Sequence, residues 1–511
     1  MWKKKSQKQK EEQFVRNKLR LFLPFLFFLL ALPAFGSHTF TFNKNLLVAQ
    51  KQNYELRLGR AYDYIVAEQD LDAENSAVHY LLHFNAFLKA FVSEKQSDYA
   101  TYRKVQDKAL FHYEQLPDSS PYKKFAQSEV YFYSATLKAK FDELYSAARD
   151  VNRAHSLIEA NHEKFPNFVA NNKTRGIIKV YLSTVPENYE WIINMLGIKG
   201  DLNGGLRLLK SVTTHRNDTT VLAGIAKEAS YLYSFSLLHV AKQGGKAWSE
   251  TLKCTEDYKT NLLSSFFRTN AALKLNRNET AINILTNRPK SDEYTKFYFL
   301  NYQLGLAKLH KLDKEAIKEF DVFYSKFQGR NYTKSCLQKM SWYYLVNGNA
   351  AKAKYYKELI SSKGYSLNEE DKQALRYASK PIPNQYLLEA RLLYDGGYFD
   401  LAQKSISKIE GKKLANSKLK AEFCYRGGRI AEKLGNMERA LKLYEASSLF
   451  AIESDEYYGA YASIYLGDYH LRNKDFVLAR KFYERALGFK KNREYTESIE
   501  QRAKAGLKKI K

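Results

Sequence analysis

Two stretches near the C-terminal end, GRIAEKLGNMERALKLY (428–444) and GDYHLRNKDFVLARKFY (467–483), carry the same landmarks 39 residues apart: Gly428 and Gly467, Ala440 and Ala479, Tyr444 and Tyr483. A unit of this length cannot bury its own apolar face, so a chain built from it folds by stacking neighbours along one continuous core. A small residue in each of two helices lets their axes approach closely. An aromatic one turn later covers the contact, so the unit is a helical hairpin.

The rest of the chain agrees with helix. After Pro186 only Pro289, Pro381 and Pro383 interrupt the sequence, and glycine is scattered singly. Apolar residues recur at helical spacing, whereas period-two runs of β-branched residues are scarce. Working backwards from the two best units, Gly397 with Ala402, Gly348 with Ala353, Leu304-Gly305 with Ala316 and Phe320, and Asn276 with Ala281 read as further hairpins. The steps between successive alanines are 35, 37, 49, 38 and 39 residues. The long step contains Ser361 to Pro383 and requires an inserted helix or loop.

This arrangement resembles the tetratricopeptide repeat family. Leu466-Gly467, Ala479, Tyr483 and Ala486 match its pattern, as do Gly435, Ala440 and Tyr444 one unit earlier. The tryptophan that opens the family's first helix is replaced by Cys424 and Ser463. The resemblance implies an all-α fold, a right-handed α-solenoid of tetratricopeptide-like hairpins, over about 261–511, with irregular helical repeats over 37–260. VPENYEWIINMLGIKGDLNGGLRLL, the hairpin from Asn301 to Ile360 and YASKPIPNQYLLEARLLY are also similar in order to the inclusion-body-clearance family of tetratricopeptide proteins. From that likeness comes the expectation of one long solenoid with an insertion at 361–383.

The N-terminal 36 residues read differently. A basic stretch from Lys3 to Arg20 precedes an apolar run from Leu21 to Phe35, the layout of a secretory signal. Fifteen residues of helix reach about 23 Å, short of a bilayer core of about 30 Å, and Pro24 and Pro33 oppose a spanning helix. Cleavage is expected after Gly36, with export to a periplasm or cell surface; anchoring through residues 21–35 is the alternative. Losing eight Lys/Arg and two Glu lowers the formal charge from +27 to +21. Such an excess attracts anionic lipid or glycan surfaces. The absence of any nucleic-acid motif, together with export, argues against nucleic acid.

Motifs for chemistry are few. Gly244-Gly245-Lys246 ends like a phosphate loop, but Ala247 replaces the hydroxyl residue and Val240 the early glycine. MLGIKGDLNGGLRLLK (195–210), with four glycines, aligns with the hairpin turn GNMERALKLY: Gly200 falls on the turn and Gly205 on Ala440. It therefore reads as a turn and not as a phosphate cradle. His155, Glu159 and His162 share one helical face, and His79 with His83 raises the same metal question more weakly; a polar helix face supplies such sets often. A metal-dependent hydrolase or ligand sensor in the N-terminal half follows only if those histidines ligate. Cys254, Cys336 and Cys424 lie 82 and 88 residues apart, with no ligand or redox spacing. No cofactor is expected.

A stack of helical hairpins presents its first helices along a concave wall suited to peptides. Trp342, Arg391, Arg429 and Asp468 occupy one slot in successive units, with Tyr394, Tyr425 and Arg472 nearby. Arginine and aromatics suit carboxylate and apolar anchors. The expected function is a non-enzymatic scaffold that binds protein or peptide partners along this strip.

Overall fold

The computed structural model describes residues 38–184, 197–409, 414–452, 456–489 and 494–510. The expected signal segment, and Trp191 to Leu196 ahead of the glycine-rich stretch, lie outside these. Among the described residues the secondary structure is helix, apart from an isolated bridge between Thr39 and Asn75. No described helix is long and apolar enough to cross a membrane.

Antiparallel hairpins follow one another. In the N-terminal half α1 (Lys44–Glu55) pairs with α2 (Leu58–Leu71), α3 (Ser76–Ser93) with α4 (Gln96–Glu114), and α5 (Tyr122–Lys140) with α6 (Leu144–Lys164). Then α7 (Asn171–Leu182) pairs with α8 (Leu202–Thr213), α9 (Val221–His239) with α10 (Gly244–Cys254), and α11 (Leu262–Lys274) with α12 (Asn278–Thr286). The C-terminal half continues with α13 (Phe299–His310) on α14 (Ala316–Lys326) and α15 (Thr333–Val346) on α16 (Ala350–Ser362). A single helix, α17 (Glu369–Ser379), precedes α18 (Gln385–Gly396) on α19 (Phe399–Ser407) and α20 (Ser417–Lys433) on α21 (Met437–Phe450). The array ends with α22 (Tyr458–Arg472) on α23 (Phe476–Gly488), and α24 (Thr496–Lys508).

The repeat logic is a physical contact. A Cβ on Gly428 would stand 2.7 Å from the Tyr444 ring, one on Gly467 2.8 Å from Tyr483, and one on Gly305 2.9 Å from Phe320. Each glycine on a first helix thus receives the aromatic of its second helix, and Ala440, Ala479 and Tyr483 are wholly buried beside these contacts. Where a side chain caps a helix start it is mostly Asn: Asn349, Asn368, Asn416 and Asn436 each accept a first-turn amide.

One turn geometry recurs along the whole chain. A residue with positive φ stands five positions before a buried small or aromatic residue at Leu56/Ala61, Glu94/Tyr99, Asp142/Ala147, Lys242/Ala247, Asn276/Ala281, Gly348/Ala353, Gly397/Ala402, Gly435/Ala440 and Lys474/Ala479. At seven of these, all but Glu94 and Lys242, the next amide returns to the carbonyl five residues back, as in Glu143 to Lys138 at 2.8 Å and Asn436 to Ala431 at 2.9 Å. That bond closes the first helix and reverses the chain. Only three of these left-handed positions are glycine. The repeat therefore runs through the N-terminal half, where its turn residues carry side chains.

Both glycine-rich stretches lead into a helix of a hairpin. Asp201 caps α8 by accepting the Gly204 amide, and a Cβ on Gly205 would stand 2.6 Å from the Gly176 carbonyl oxygen of α7. Gly205 thus takes the close-packing role of Ala440, with α7 as its partner helix. Gly244 and Gly245 open α10 directly after left-handed Lys242, and Ala247 is buried in the hairpin.

The array also folds back on itself. Arg57 donates to the Tyr294 hydroxyl at 2.5 Å, and Glu94 accepts the Asn331 amide at 2.9 Å. Both contacts join residues 237 apart in sequence. In addition, α1 packs on α9 and α11. The N-terminal hairpins are closed against the middle of the chain, and the C-terminal hairpins carry the open wall.

Candidate functional site

The slot found in the sequence lies six residues before each left-handed turn residue: Trp342 before Gly348, Arg391 before Gly397, Arg429 before Gly435, Asp468 before Lys474. That register faces successive first helices toward one another, so each arginine lies over an aromatic of the unit before it. The Arg391 guanidinium stands 4.8 Å from the centroid of Trp342, and that of Arg429 stands 4.1 Å from Tyr394 and 5.6 Å from Tyr425. Arg502 of α24 continues the series over Tyr465 at 5.4 Å. Each contact contributes about 0.5–2 kcal/mol, more when desolvated.

The structure brings together Trp342, Arg391, Tyr394, Tyr425 and Arg429. Trp342, Tyr394 and Tyr425 are buried, so they act as platforms beneath the guanidinium groups and not as exposed anchors. Asp468 is elsewhere engaged: Tyr483 donates to it at 2.7 Å and Arg502 at 2.9 Å. Arg472 is exposed at the last turn of α22. Neither lines the cleft described next.

The second wall of the site comes from α17, within the 361–383 segment. Asp371 anchors this helix, accepting the Tyr332 amide at 2.6 Å and the Ser335 amide at 2.8 Å, so the insertion caps α15. From there the chain crosses to the far end of the array. Lys380 bonds Glu494 at 2.8 Å and Glu456 at 3.2 Å, Lys418 bonds Glu456 at 2.6 Å, and Gln373 donates to Tyr495. Between this strap and the inner wall lies a cleft of about 420 Å³, with Trp342, Arg391 and Arg426 on one side and Tyr377, Pro381, Ile382 and Pro383 on the other. A small void beside it is bordered by Arg391, Arg426, Arg429 and Tyr394.

Electrostatics separate the two walls. The strap cations are matched by Glu456 and Glu494, and Arg426 is held by Glu422 at 2.8 Å. On the inner wall, Arg391 has only Asp395 at 3.7 Å, and among the described residues neither Arg429 nor Lys339 has a carboxylate within ion-pair distance. Lys339 lies 4.1 Å over the Trp342 ring and donates to the Gln338 side chain at 2.7 Å. Burial, then neighbouring Arg391, pulls its amine down to about 7. Burial likewise lowers His310 behind this wall to about 4.

The strap is an ionic clasp with a definite pH sign. Burial pushes the Glu456 carboxyl up, but the hydrogen bonds and charges of Lys418 and Lys380 outweigh it and hold the group below its ordinary value. Its stabilising contribution is therefore present at neutral pH and lost as pH falls below about 4.5 through the folded-state value. Lys380→Ala is expected to speed amide exchange over 376–384 and 494–497 at pH 7, and in the wild type the protection of these segments, corrected for the intrinsic rate at each pH, is expected to fall as pH drops below about 4.5. Hydrogen-exchange mass spectrometry reads this directly, and unchanged protection in both cases would disprove the clasp.

The N-terminal histidines are otherwise occupied. Glu159 is held by Arg175 through two bonds of 3.0 and 2.9 Å, leaving His155 3.9 Å away. His79 stacks on His112 at 3.5 Å, whereas His83 bonds the Tyr102 hydroxyl at 2.9 Å, so the HYLLH pair diverges. Burial lowers His83 to about 3 and His79 to about 4. Among the described residues no group of His, Cys, Asp and Glu could hold a metal ion. All three cysteines are buried free thiols, which burial pushes above their ordinary range.

Of the strip read from the sequence, Trp342 and Arg391 line the cleft. The strap wall, and Lys339 and Arg426, escaped that strip because they depend on where the insertion docks and on a position adjacent to the repeating slot.

No protein-family profile and no curated protein matches the chain. Among solved structures it is similar to one described as "Crystal structure of APC/C hetero-tetramer Cut9-Hcn1". The identity is 13%, the match covers 90% of this chain and 89% of that one, and the TM-score is 0.25.

Proposed function

We infer that this protein is a non-enzymatic, exported helical-repeat scaffold that binds protein partners through an extended peptide segment held between the arginine–aromatic inner wall and the strap. The observation that carries the reading is the wall itself: Arg391 and Arg429, poised on Trp342, Tyr394 and Tyr425, beside a cleft of about 420 Å³. Guanidinium groups held over buried rings are preorganised donors, and little side-chain entropy is lost when they engage a ligand. The Pro381-Ile382-Pro383 edge supplies apolar contact, with Ile382 exposed. A cleft of this size accommodates a few residues of extended chain.

The test places a photo-crosslinking amino acid at Ile382 in the full chain expressed in its native cells. Specific partners are expected, with their yield reduced several-fold by Arg391→Ala with Arg429→Ala. Recovery of the same partners at undiminished yield from the double variant would remove the wall from the binding function. Export is checked on the same material: mass spectrometry is expected to find Ser37 as the mature N-terminus.

A further inference from the structure

The charge count on the inner wall is unbalanced. Arg391 and Arg429 share a single carboxylate, Asp395, which lies 3.7 Å from Arg391 and acts on Arg429 from further away, whereas Lys339 is acted on by Glu370, Asp395 and Asp371, none of them at ion-pair distance. Arg426, the fourth cation, is satisfied by Glu422 and contributes its size and field. Cations withdrawn from water without counter-charges are costly, and a fold keeps them together where an anion completes the set. Against the two guanidinium groups Asp395 supplies one negative charge, which leaves one positive charge in excess.

Geometry narrows the class of anion. Arg391 and Arg429 border one small void and reach it from consecutive first helices, while Arg391 and Lys339 lie over the same indole. Among the described residues neither Arg391 nor Arg429 spends a guanidinium N–H on a carboxylate at hydrogen-bond distance. Two planar forks and an ammonium offer more donors than the two oxygens of a carboxylate can accept. A phosphate monoester presents three strong acceptor oxygens, which match the donor count, and a charge of about −1.5 to −2 at neutral pH that answers the unpaired guanidinium charge.

We propose that Arg391, Arg429 and Lys339 form a binding site for a phosphate monoester, the phosphorylated side chain of the extended segment that enters the cleft. This assignment rests on the scaffold reading above and names the group by which a partner is held. Trp342 and Tyr394 keep the guanidinium groups in place before the ligand arrives. Beside a dianion the ammonium form of Lys339 is favoured, so binding above neutral pH takes up a proton. The groups facing Lys339 during this step are Arg391 and Asp395 from α18, Glu370 and Asp371 from α17, and His310 from α13.

Calorimetric titration of the full chain with capped phosphoserine amide, inorganic phosphate and capped glutamate amide tests the proposal. Capped phosphoserine is expected to bind saturably and at least about tenfold more tightly than capped glutamate, with inorganic phosphate competing for the same site. Arg391→Ala or Arg429→Ala is expected to weaken it by about tenfold or more, and Arg391→Lys, which keeps the charge but loses the fork, by an intermediate factor. At pH 8, titrations in two buffers of different ionisation enthalpy are expected to show proton uptake that disappears in Lys339→Met. Equal affinity for the glutamate and phosphoserine ligands, absence of saturable binding, or undiminished binding by the arginine variants would each overturn the assignment. Phosphatase treatment of partners in the Ile382 crosslinking experiment separates the two levels: crosslinking that survives it leaves the scaffold reading standing and removes the phosphate site.

Discussion

Lys173→Met is expected to lower the stability of the N-terminal half by about 3–5 kcal/mol, the range for breaking a buried ion pair from one side. Lys173 on α7 is wholly inaccessible. Its ammonium bonds Glu228 of α9 at 2.7 Å, the Tyr133 hydroxyl of α5 at 3.0 Å, and Glu129 of α5. Tyr133 donates to Glu228 at 2.7 Å and Tyr54 of α1 donates to the same carboxylate at 3.4 Å, so four helices converge on one cation. Without the lysine, two carboxylates remain buried beside each other. Burial already pushes Glu129 above its ordinary value, with Lys173 opposing that shift and Glu228 adding to it. In the variant the upward shift is expected to grow, and protonation of the pair favours the folded state. The loss should therefore be largest at pH 8 and smaller at pH 5. Chemical denaturation at the two pH values measures it, and Lys173→Met with Glu129→Gln and Glu228→Gln is expected to recover much of the difference. A single variant as stable as wild type at pH 8 would show that the network carries little energy.

The second large effect falls on the repeat contact. Gly428→Val and Gly467→Val are each expected to cost about 1–3 kcal/mol, because their Cβ atoms would stand 2.7 and 2.8 Å from buried tyrosine rings. Replacing a helical glycine ordinarily gains up to about 1 kcal/mol in propensity, so the sign of the effect is diagnostic. Gly59, inside α2 with nothing within 4 Å of a built Cβ, supplies the control: Gly59→Ala should stabilise. Pairing Gly428→Val with Tyr444→Ala relieves the collision, and the double variant is expected to lose less than the sum of the two singles. Additive losses would mean that the glycine and the ring do not set the approach of the two helices.

Why the C-terminal repeats are legible and the N-terminal ones are not follows from the turn. At Gly348, Gly397 and Gly435 the left-handed residue is glycine, which adopts positive φ at no steric cost and marks the hairpin in the sequence. At Leu56, Glu94 and Lys242 the same turn is made by residues for which that backbone is strained, as it is at Lys474, whose unit is legible instead from Leu466-Gly467, Ala479 and Tyr483. Packing of the flanking helices holds them there, and packing leaves no local residue signature. Asn276 is intermediate, because asparagine tolerates the conformation and still reads as a turn.

The binding strip divides along the same line. Trp342, Arg391 and Arg429 fall in one register because a fixed step from slot to turn repeats in each unit, and that step is written in the chain. Their stacking on the preceding unit's rings follows from the register. Asp468 shares the register but sits where α24 replaces a further hairpin, and Arg502 of that last helix takes its charge.

By itself, the sequence determined the helical hairpin, the contact of glycine with aromatic inside it, and the array that stacking produces, because these depend on residues within about 40 positions of one another. Tertiary structure alone decided where α17 docks, which acids neutralise the strap, and which cations are left without partners. Lys380 meets Glu494 across 114 positions, and Glu94 meets Asn331 across 237. A curved array brings such residues together through the summed rotation of many hairpins, and no local pattern records that sum.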